Sequence, residues 1–480
     1  MYDVLIVGCG IIGAAAAYEL SRYNLKIGIL EKYNDVANGA TKANNAILHA
    51  GYDCVPGTLE AKTNLEGIRL AKTLCEKLDV EYRQLPAMVV AFNERQMEKI
   101  NVLYKQGIKN GVPGIRIISR EEILEREPNV SPKVIGGLFA PNAAIVNPWE
   151  YAIALSETAV RNGAELYLST EVTAISKEDD VFKVITTNGE FLAKYIVNAA
   201  GNFSDRIHEM VGGKGFHHTY YAGEYYVFDK NQCRLVNSLI FSCSEESGFK
   251  GTTIFPSVHG NLLAGPNFYQ VQDPEDLATD GQRLAELKKN ILEVVPCIDF
   301  RETIREFAGI RPSTNIDDFI VGESPYCPKF INLAGMKSPG LSAAPALAKI
   351  CVDVLRDAGL TLDLKDEFID TRKRIIFREL DEQSKIELVK KNPLYGRVIC
   401  RCETVTEGEI VEAIHRPIVP RSIDAIKRRC NAGMGRCQGG FCGPAIHMIL
   451  ARELGVSPLD IVMDEDGTYI LTGPTKEVAR

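Results

Sequence analysis

Four cysteines near the carboxy-terminal end are grouped like metal ligands. Cys400 and Cys402 form one pair, and Cys437 and Cys442 form a second pair further along the chain. In a chain without a recognisable export signal, such thiols are better interpreted as ligands than as disulfides, because cytosolic thiols are kept reduced. Four cysteine sulfurs suit an iron–sulfur cluster. Structural zinc also takes four thiolates, but neither pair has its usual C-x2-C spacing. The pattern therefore predicts a 2Fe–2S cluster ahead of zinc, and with it electron transfer.

A glycine-rich turn near the amino terminus is typical of a dinucleotide-binding loop. Gly8, Gly10 and Gly13 lie between a predicted strand and a predicted alanine-rich helix. Glycines there permit a tight turn and let backbone amides approach a pyrophosphate at the start of the helix. Glu31 ends the second predicted strand, where its carboxylate would accept hydrogen bonds from ribose hydroxyls. The pattern predicts a bound dinucleotide without distinguishing NAD from FAD.

Length and composition are typical of a soluble globular protein. The 480 residues are 45% hydrophobic and 25% charged, and they suggest about three domains. The net charge of −8 argues against a nucleic-acid partner. The longest uncharged apolar run, residues 4–18, is too short to span a bilayer and lacks the basic flank of a signal peptide. We expect a cytoplasmic protein that can be peripheral to the membrane through a partner.

The rest of the chain predicts an α/β fold that includes an antiparallel sheet. Apolar residues at helical spacing predict a long helix over 58–78, and further helices are predicted over 148–162 and 341–357. Charged, helix-forming residues predict a helical connector over 366–395. Aromatic and β-branched runs predict strands of the antiparallel sheet. These runs cover residues 219–228, 238–242, 252–258 and 262–266.

Segments beyond the glycine turn resemble the glycine-oxidase-type flavoproteins, which have the D-amino-acid-oxidase-like fold. The segments are GATKANNAILHAGY (39–52), VNAAGNFSD (197–205) and INLAGMKSPGLSAAPALA (331–348). The resemblance runs over nearly the whole chain and implies FAD rather than NAD. It also implies a discontinuous, Rossmann-like FAD-binding domain and an antiparallel-sheet substrate domain, followed here by a small helical 2Fe–2S domain.

The same resemblance implies which residues contact the FAD. They belong to the glycine turn, to the segments quoted above and to STEVTAI (169–175). The expected FAD-binding residues are Gly8, Gly10, Ile12, Gly13, Glu31, Thr41, Asn45, Val172, Ala200, Gly201, Gly335, Gly340 and Leu341.

A narrower resemblance concerns the catalytic subunits of anaerobic sn-glycerol-3-phosphate dehydrogenases. It rests on YAGEYYVFD (221–229), FPSVHGNLLAGP (255–266), FAGIRPS (307–313), CRCETVTEGEI (400–410) and AGMGRCQGGFCGP (432–444). The last two segments resemble the bacterioferritin-associated-ferredoxin-like 2Fe–2S domain. The front two thirds also resemble L-2-hydroxyglutarate oxidases, through NAILHAG and GEYY. The closer resemblance implies oxidation of sn-glycerol 3-phosphate to dihydroxyacetone phosphate by hydride transfer to flavin N5. Electrons would then leave through the cluster.

Several residues have chemistry suited to a small anionic substrate. Arg311 is the first candidate for binding the anion, because a planar guanidinium gives two hydrogen bonds to a carboxylate or phosphate. His49 is the candidate base, since imidazole titrates near the working pH. Tyr225 and Tyr226 are neighbours on a predicted strand, so at most one faces the site, and we select Tyr225. Lys337 lies where the relatives often have an acidic residue, and it could help to bind phosphate.

Phosphate attracts several donors, so Arg311 with Lys337 suits glycerol 3-phosphate, whereas Arg311 alone suits a 2-hydroxy acid. His259 and Lys250 are weaker candidates on the phosphate side. Lys427, Arg428, Arg429 and Arg436 form a basic patch, interpreted either as a solvated helix face or as a docking surface for an acceptor protein. That acceptor would be a second flavoprotein or a membrane-anchored iron–sulfur subunit.

The predicted organisation has four parts. The FAD-binding domain takes residues 1–80, 150–215 and 310–365, the substrate domain 81–149 and 216–309, the helical connector 366–395, and the 2Fe–2S domain with its tail 396–480. Three other functions are compatible with the sequence. They are a 2-hydroxy-acid or amino-acid dehydrogenase on the same fold, an electron-transfer subunit without its own substrate, and an oxidase that uses oxygen directly.

Overall fold

A largely parallel sheet forms the base of the protein in the computed structural model, which describes residues 1–245, 251–474 and 476. The strand Tyr2–Val7 lies parallel to Ile27–Leu30 on one side and to Gly189–Asn198 on the other. Its residues Val4, Leu5 and Ile6 are fully buried, as expected for a strand covered on both faces. The strands of this sheet are Tyr2–Val7, Ile27–Leu30, Glu165–Tyr167, Val172–Glu178, Val181–Thr186, Gly189–Asn198, Ile320–Ser324 and Cys327–Ala334.

Helices cover the parallel sheet and pack closely on one another. They are Ile11–Leu20, Leu59–Lys77, Pro148–Arg161, Ser204–Glu209 and Gly340–Asp357. The close crossing of the second and last of these requires Gly67, where a Cβ atom would lie 2.0 Å from the carbonyl oxygen of Ser342. Among the helices of the described residues, none is long and apolar enough to cross a bilayer.

A second, mostly antiparallel sheet lies beside the first. Its strands are Ala87–Ala91, Arg116–Ser119, Gly136–Ala140, His218–Phe228, Leu239–Ser242, Thr253–Pro256, Leu262–Gly265, Tyr269–Val271 and Thr303–Thr314. The predicted antiparallel runs all lie in it, although Leu239–Ser242 also pairs in parallel with Ala87–Ala91. The helices Glu94–Asn110, Arg120–Arg126 and Gly281–Val294 belong to this part of the chain, and Ile47–Leu48, Tyr82–Gln84 and Ala144–Val146 form a small separate sheet.

The strands His218–Phe228 and Thr303–Thr314 form a long antiparallel ribbon, called the long ribbon below. Its register pairs Tyr221 with Arg311, Gly223 with Gly309 and Tyr225 with Phe307. The predicted boundary between the substrate domain and the FAD-binding domain, at residue 310, falls inside the second strand. This strand continues past the boundary because its pairing with His218–Phe228 extends as far as Thr314.

The predicted helical connector over 366–395 is helical only in part. Its α-helix covers Glu382–Lys391, and residues 366–376 form neither helix nor strand. Two charged side chains of this irregular part are buried in ion pairs with the FAD-binding domain. Arg372 contacts Glu157 at 2.8 Å and Glu150 at 2.5 Å, and Arg374 contacts Glu150 at 3.4 Å. These pairs hold the irregular part against the helix Pro148–Arg161.

The carboxy-terminal part is a small helical domain. Its helices are Glu407–Ile414, Ile423–Cys430 and Gly443–Leu454, and a short hairpin pairs Val398–Cys400 with Val405–Thr406. The first helix begins with a capping box, in which Thr406 binds the backbone of Glu409 and the Glu409 carboxylate binds the backbone of Thr406.

Ion pairs join this domain to the rest of the protein. Arg429 binds Asp35 through two hydrogen bonds of 2.8 Å, and both side chains are fully buried. Arg428 contacts Asp35 at 3.1 Å and Asp464 at 2.8 Å. Lys427 is also buried, and Arg436 pairs with Asp229. Both interpretations of the basic patch are therefore wrong for Lys427, Arg428 and Arg429, which are buried, whereas the side chain of Arg436 is 67% exposed and its part in docking stays a prediction.

The substitution Asp35→Asn should destabilise the carboxy-terminal domain by about 3 kcal/mol, because it leaves buried Arg429 without its counter-charge. The change would be measured as a lower denaturation midpoint. The matched control is Asp353→Asn, because the side chains of Asp353 and its partner Arg356 are 63% and 52% exposed. The control should cost at most about 1 kcal/mol. Equal losses in the two variants would contradict the importance of the buried pair.

The effect of Asp35→Asn should depend on pH. Burial would raise the pKa of Asp35, but Arg429 and Arg428 hold it below its ordinary value. A carboxylate with a lowered pKa stabilises the fold above its unfolded-state pKa and loses this contribution as the pH falls through its folded-state pKa. The difference between wild type and variant should therefore shrink below about pH 4.

Candidate functional site

Two adjoining cavities lie between the two sheets. Their volumes are about 290 Å³ and about 760 Å³, and together they are slightly larger than the usual small-molecule site. Ile12, Thr41, Ala43 and Met336 line both of them, so the two share part of their lining and are together called the joined cavity below. The smaller cavity is bounded by the parallel sheet and the larger one by the long ribbon.

The smaller cavity has features that fit a pyrophosphate. The first turn of the helix Ile11–Leu20 opens onto it, and Thr41 Oγ1 accepts a hydrogen bond of 3.0 Å from the amide of Ile11. Gly8 has φ +96°, and a Cβ atom on it would lie 2.6 Å from the carbonyl oxygen of Ala199. The absence of a side chain at Gly8 thus lets backbone form the wall, as a dinucleotide requires.

Glu31 fits the ribose end of a dinucleotide. Its carboxylate accepts hydrogen bonds from the amides of Cys9 at 2.7 Å and Tyr33 at 3.1 Å, and the residue lines the smaller cavity. Burial raises the pKa of Glu31. A fixed, buried carboxylate at this place can accept hydrogen bonds from hydroxyl groups of a ligand.

Most residues expected to bind FAD line the joined cavity. Gly8, Gly10, Ile12, Glu31, Thr41, Val172, Ala200, Gly201 and Gly335 line the smaller part, and Asn45, Gly340 and Leu341 line the larger part. Gly13 instead lies behind the wall, where a Cβ atom would be 1.9 Å from the carbonyl oxygen of Gly8. The close packing of the helix on the strand explains the glycine at position 13. The contacts of the individual residues with FAD stay predictions.

The long ribbon supplies one wall of the larger cavity. Residues directly opposite each other in an antiparallel pair share a face of the sheet, so Tyr221, Tyr225 and Arg311 point to the same side. All three line the cavity. Tyr226 faces the opposite way, and its hydroxyl donates to the carbonyl oxygen of Leu284 at 2.9 Å. Only one residue of this tyrosine pair therefore faces the site, as strand alternation predicts.

Arg311 is available to bind an anion. Within the part of the chain that the structure describes, it has no carboxylate partner, and its guanidinium lies 5.7 Å from the ring centre of Phe268. Burial raises the pKa of Tyr225, and Arg311, which is hydrogen-bonded to it, partly opposes that shift. Gly223 leaves room for the guanidinium, since a Cβ atom there would lie 3.2 Å from Arg311 Nη2.

His49 is buried and held in place by two serines that the sequence did not single out. Its Nε2 atom lies 3.0 Å from Ser338 Oγ, and its backbone amide donates to Ser342 Oγ at 2.8 Å. Both serines belong to the segment SPGLS, in which Ser338 lies in the loop that lines the cavity and Ser342 lies in the first turn of the helix Gly340–Asp357. Lys337 lines the same cavity and is partly exposed.

The two weaker candidates do not join this group. His259 is half-buried and stacked on Trp149, with ring centres 6.2 Å apart, and desolvation of its ring lowers its pKa. It lines neither cavity, which agrees with the structural role that we favoured for it over phosphate binding. Lys250 lies outside the described residues.

The four grouped cysteines form two pairs of thiols in the carboxy-terminal domain. Cys402 Sγ and Cys437 Sγ are 3.7 Å apart, and Cys400 is hydrogen-bonded to Cys442. The hydrogen bond from Cys442 lowers the pKa of Cys400 to about 6 against the opposing effect of burial, with help from the amides of Gly433 and Glu403. Two pairs of sulfurs fit a cluster of two irons, each of which takes two cysteines.

The glycine-rich loop around these cysteines brings backbone amides to the sulfurs. The amides of Phe441 and Gly439 lower the pKa of Cys437, although its partial burial opposes this. A Cβ atom on Gly435 would lie 2.3 Å from the Cβ atom of Cys402, so only glycine fits beside that ligand. Cys400 and Cys442 are buried, whereas Cys402 and Cys437 are exposed. One side of the cluster site therefore faces solvent.

Comparison with known proteins agrees with both sites. Residues 3–354 match the family model described as FAD dependent oxidoreductase. This chain belongs to that FAD-dependent oxidoreductase family. Residues 398–452 match the model described as BFD-like [2Fe-2S] binding domain, so the family's fold is here joined to a cluster-binding domain.

Individual relatives in this family are similar over different parts of the chain. The glycerol 3-phosphate dehydrogenase of Caloramator mitchellensis is 46% identical over 99% of both chains. The structure of FAD-bound L-alpha-glycerophosphate oxidase from Mycoplasma pneumoniae is 34% identical, covers 77% of this chain and 98% of its own, and has a TM-score of 0.74. The L-2-hydroxyglutarate dehydrogenase of Escherichia coli K12 is 29% identical and covers 56% of this chain and 64% of its own.

These matches confirm three predictions from the sequence. The fold is that of the D-amino-acid-oxidase-like flavoproteins, the dinucleotide is FAD rather than NAD, and the cysteine domain is a 2Fe–2S domain rather than a zinc site. The chain is therefore an FAD-dependent oxidoreductase with an iron–sulfur domain.

The substitution Gly13→Ala should weaken FAD binding at least about tenfold, because the new methyl group would push the helix Ile11–Leu20 away from the strand before it. Flavin fluorescence would give the dissociation constant. The control is Gly281→Ala, where a Cβ atom meets nothing within 4 Å. Unchanged FAD affinity in Gly13→Ala would contradict the close-packing role.

Proposed function

We propose that the protein is a dehydrogenase that oxidises sn-glycerol 3-phosphate to dihydroxyacetone phosphate and passes the electrons through its 2Fe–2S cluster to a partner protein. The observation that carries the proposal is the position of Arg311, a cation without a carboxylate partner among the described residues, on the wall of the cavity that adjoins the FAD site. The similarity to a glycerol 3-phosphate dehydrogenase over 99% of the chain supports the same substrate.

Each residue of the larger cavity has a role in the proposal. The bound FAD would accept the hydride from the substrate carbon. Arg311 holds the phosphate through paired hydrogen bonds, and Tyr225 fixes the guanidinium. His49 accepts the hydroxyl proton at Nε2, the atom that Ser338 contacts. Lys337 adds a second positive charge for a group that has about two negative charges near neutral pH.

Charge favours glycerol 3-phosphate over a 2-hydroxy acid. A carboxylate is satisfied by one arginine, whereas a phosphate benefits from both Arg311 and Lys337. Asp317, which is exposed, lines the same cavity and would repel an anion beside it. The phosphate is therefore expected beside Arg311.

The exposed side of the cluster site is the proposed exit for electrons. Arg401 and Arg305 are exposed beside it. Arg305 donates a hydrogen bond of 3.2 Å to Gln438, and the guanidinium of Arg401 lies 4.6 Å from the ring centre of Phe441. Phe441 is 59% exposed. A positively charged rim around an apolar side chain suits an acidic acceptor protein. That partner would be a second flavoprotein or a membrane-anchored iron–sulfur subunit, reached from the cytoplasm.

An anaerobic substrate screen tests the reaction. Glycerol 3-phosphate should bleach the flavin absorbance of the purified protein, and L-2-hydroxyglutarate and amino acids should not. Arg311→Met should keep its FAD but need at least about a hundredfold more glycerol 3-phosphate, because a charge-assisted pair of hydrogen bonds is lost.

The control for Arg311→Met is Arg301→Met, whose side chain is 90% exposed. This variant should bleach like the wild type. Bleaching by L-2-hydroxyglutarate alone would overturn the substrate, and bleaching by no small molecule would favour an electron-transfer subunit. Stoichiometric hydrogen peroxide at full turnover would favour an oxidase.

The substitution Cys437→Ser should separate the two halves of the reaction. Glycerol 3-phosphate should still bleach the flavin, whereas the electron paramagnetic resonance signal of the reduced cluster should be lost, because one iron loses a thiolate ligand. Cys297→Ser is the matched control, since Cys297 is also an exposed free thiol. A normal cluster signal in Cys437→Ser would contradict its role as a ligand.

A further inference from the structure

A segment of the carboxy-terminal domain reaches the FAD-binding cavity. Residues 462–469, called the tail segment below, follow the last elements of the cluster domain. Glu465 of this segment lines the smaller cavity, together with Glu31, Lys32 and Val172. No pattern in the sequence pointed to this contact, because the tail segment lies far along the chain from the glycine turn.

The tail segment is fixed to the loops that form the cavity. Lys42, which follows Thr41 on the cavity wall, binds Asp464 at 2.8 Å and Glu465 at 3.2 Å. The Asn34 side chain donates to the carbonyl oxygen of Asp464 at 2.7 Å. These contacts join the tail segment to the same loop that continues from Glu31.

Two further contacts hold the residues on either side of Glu465. Ser169 donates to Asp466 at 2.9 Å, and Ser169 lies in the segment that contains Val172. Arg428 joins Asp464 to Asp35, at 2.8 Å and 3.1 Å. The tail segment is thereby connected both to the helix Ile423–Cys430 of the cluster domain and to the walls of the cavity.

We propose that the tail segment is part of the FAD site, and that FAD binding and assembly of the cluster domain stabilise each other. Glu465 presents a carboxylate to the ribose end of the cavity, where it can accept hydrogen bonds from a hydroxyl or amine of the cofactor. Because the tail segment belongs to the cluster domain, any ligand that contacts it also favours the docked domain, and the coupling acts equally in both directions.

The relatives are consistent with such an addition. The similarity to the FAD-bound Mycoplasma pneumoniae oxidase structure covers 77% of this chain and 98% of that one. The oxidase therefore has the FAD-binding fold although part of this chain has no counterpart in it. The proposal rests on the assignment of the smaller cavity to FAD and does not depend on the identity of the substrate.

The test is an FAD titration of the full-length apoprotein, followed by flavin fluorescence. The double variant Asp464→Asn/Glu465→Gln should bind FAD about five- to fiftyfold more weakly than the wild type, while its iron content stays unchanged. The matched control is Glu387→Gln on the helix Glu382–Lys391, where the carboxylate is exposed and away from the cavity. Its FAD affinity should equal that of the wild type.

The reciprocal effect is measured on the cluster. Saturating FAD should slow the loss of iron to a chelator in the wild type, and this protection should be smaller in the double variant. Ser169→Ala, which removes one bond to the tail segment, provides a milder variant should the double variant fail to fold, and it should weaken FAD binding in the same direction.

FAD affinities within twofold of the wild type in the folded variants, or iron loss that is independent of FAD, would overturn the proposal. Neither result depends on turnover. A protein that does not oxidise glycerol 3-phosphate but shows these changes would therefore refute the proposed substrate and leave the coupling intact.

Discussion

A bidentate ion pair between Asp35 and Arg429 joins the flavin-binding and cluster-binding parts of the molecule. Burying both charges is costly, and the cost is offset because both terminal nitrogens of the guanidinium donate to Asp35, whereas the buried Nε has no hydrogen-bond partner among the described residues. Arg429 also donates to the carbonyl oxygens of Ala425 and Ile418, at 3.0 Å and 3.3 Å. Asp35 follows Glu31 by four residues, so one interaction links the cofactor loop to a helix of the cluster domain.

The two redox sites differ in how they meet solvent. The dinucleotide end of the cavity is formed mainly by backbone and by buried groups such as Glu31, which suits a cofactor that stays bound. The cluster site is half buried, with Cys400 and Cys442 inside and Cys402 and Cys437 at the surface. This difference is consistent with one site that retains its cofactor and another that exchanges electrons with a partner.

Local patterns in the sequence were sufficient for much of this description. The glycine turn and the long helix, whose N-cap is Thr58, depend on neighbouring residues, so spacing alone identifies them. Spacing also grouped the four cysteines, but the structure pairs Cys402 with Cys437 and Cys400 with Cys442, across the two groups seen in the sequence. The buried charges could not be predicted in this way. Arg372, Arg428 and Arg429 have the composition of exposed helical surfaces, and their burial depends on carboxylates far away in the chain. The position of Glu465 in the cavity lining could not be predicted from the sequence for the same reason.

Family resemblance added what spacing could not. It indicated FAD rather than NAD and supported Arg311 and His49 as site residues, while strand alternation selected Tyr225, and all three line the same cavity. It did not indicate Ser338 and Ser342 as partners of His49, because hydrogen-bond partners follow from the course of the loop in space. The roles of the individual residues stay predictions until the experiments above are done.

The long ribbon restricts which length changes the protein can tolerate. At one end Arg311 faces the cavity, and at the other Arg305 and Asp229 contact Gln438 and Arg436 of the cluster domain. Inserting a single residue between Arg305 and Arg311 would turn one of the two to the opposite face of the sheet. Inserting two would restore the faces but lengthen the strand by about 7 Å. Insertions should therefore be confined to the connections outside this ribbon, which keeps the separation of the two redox sites constant.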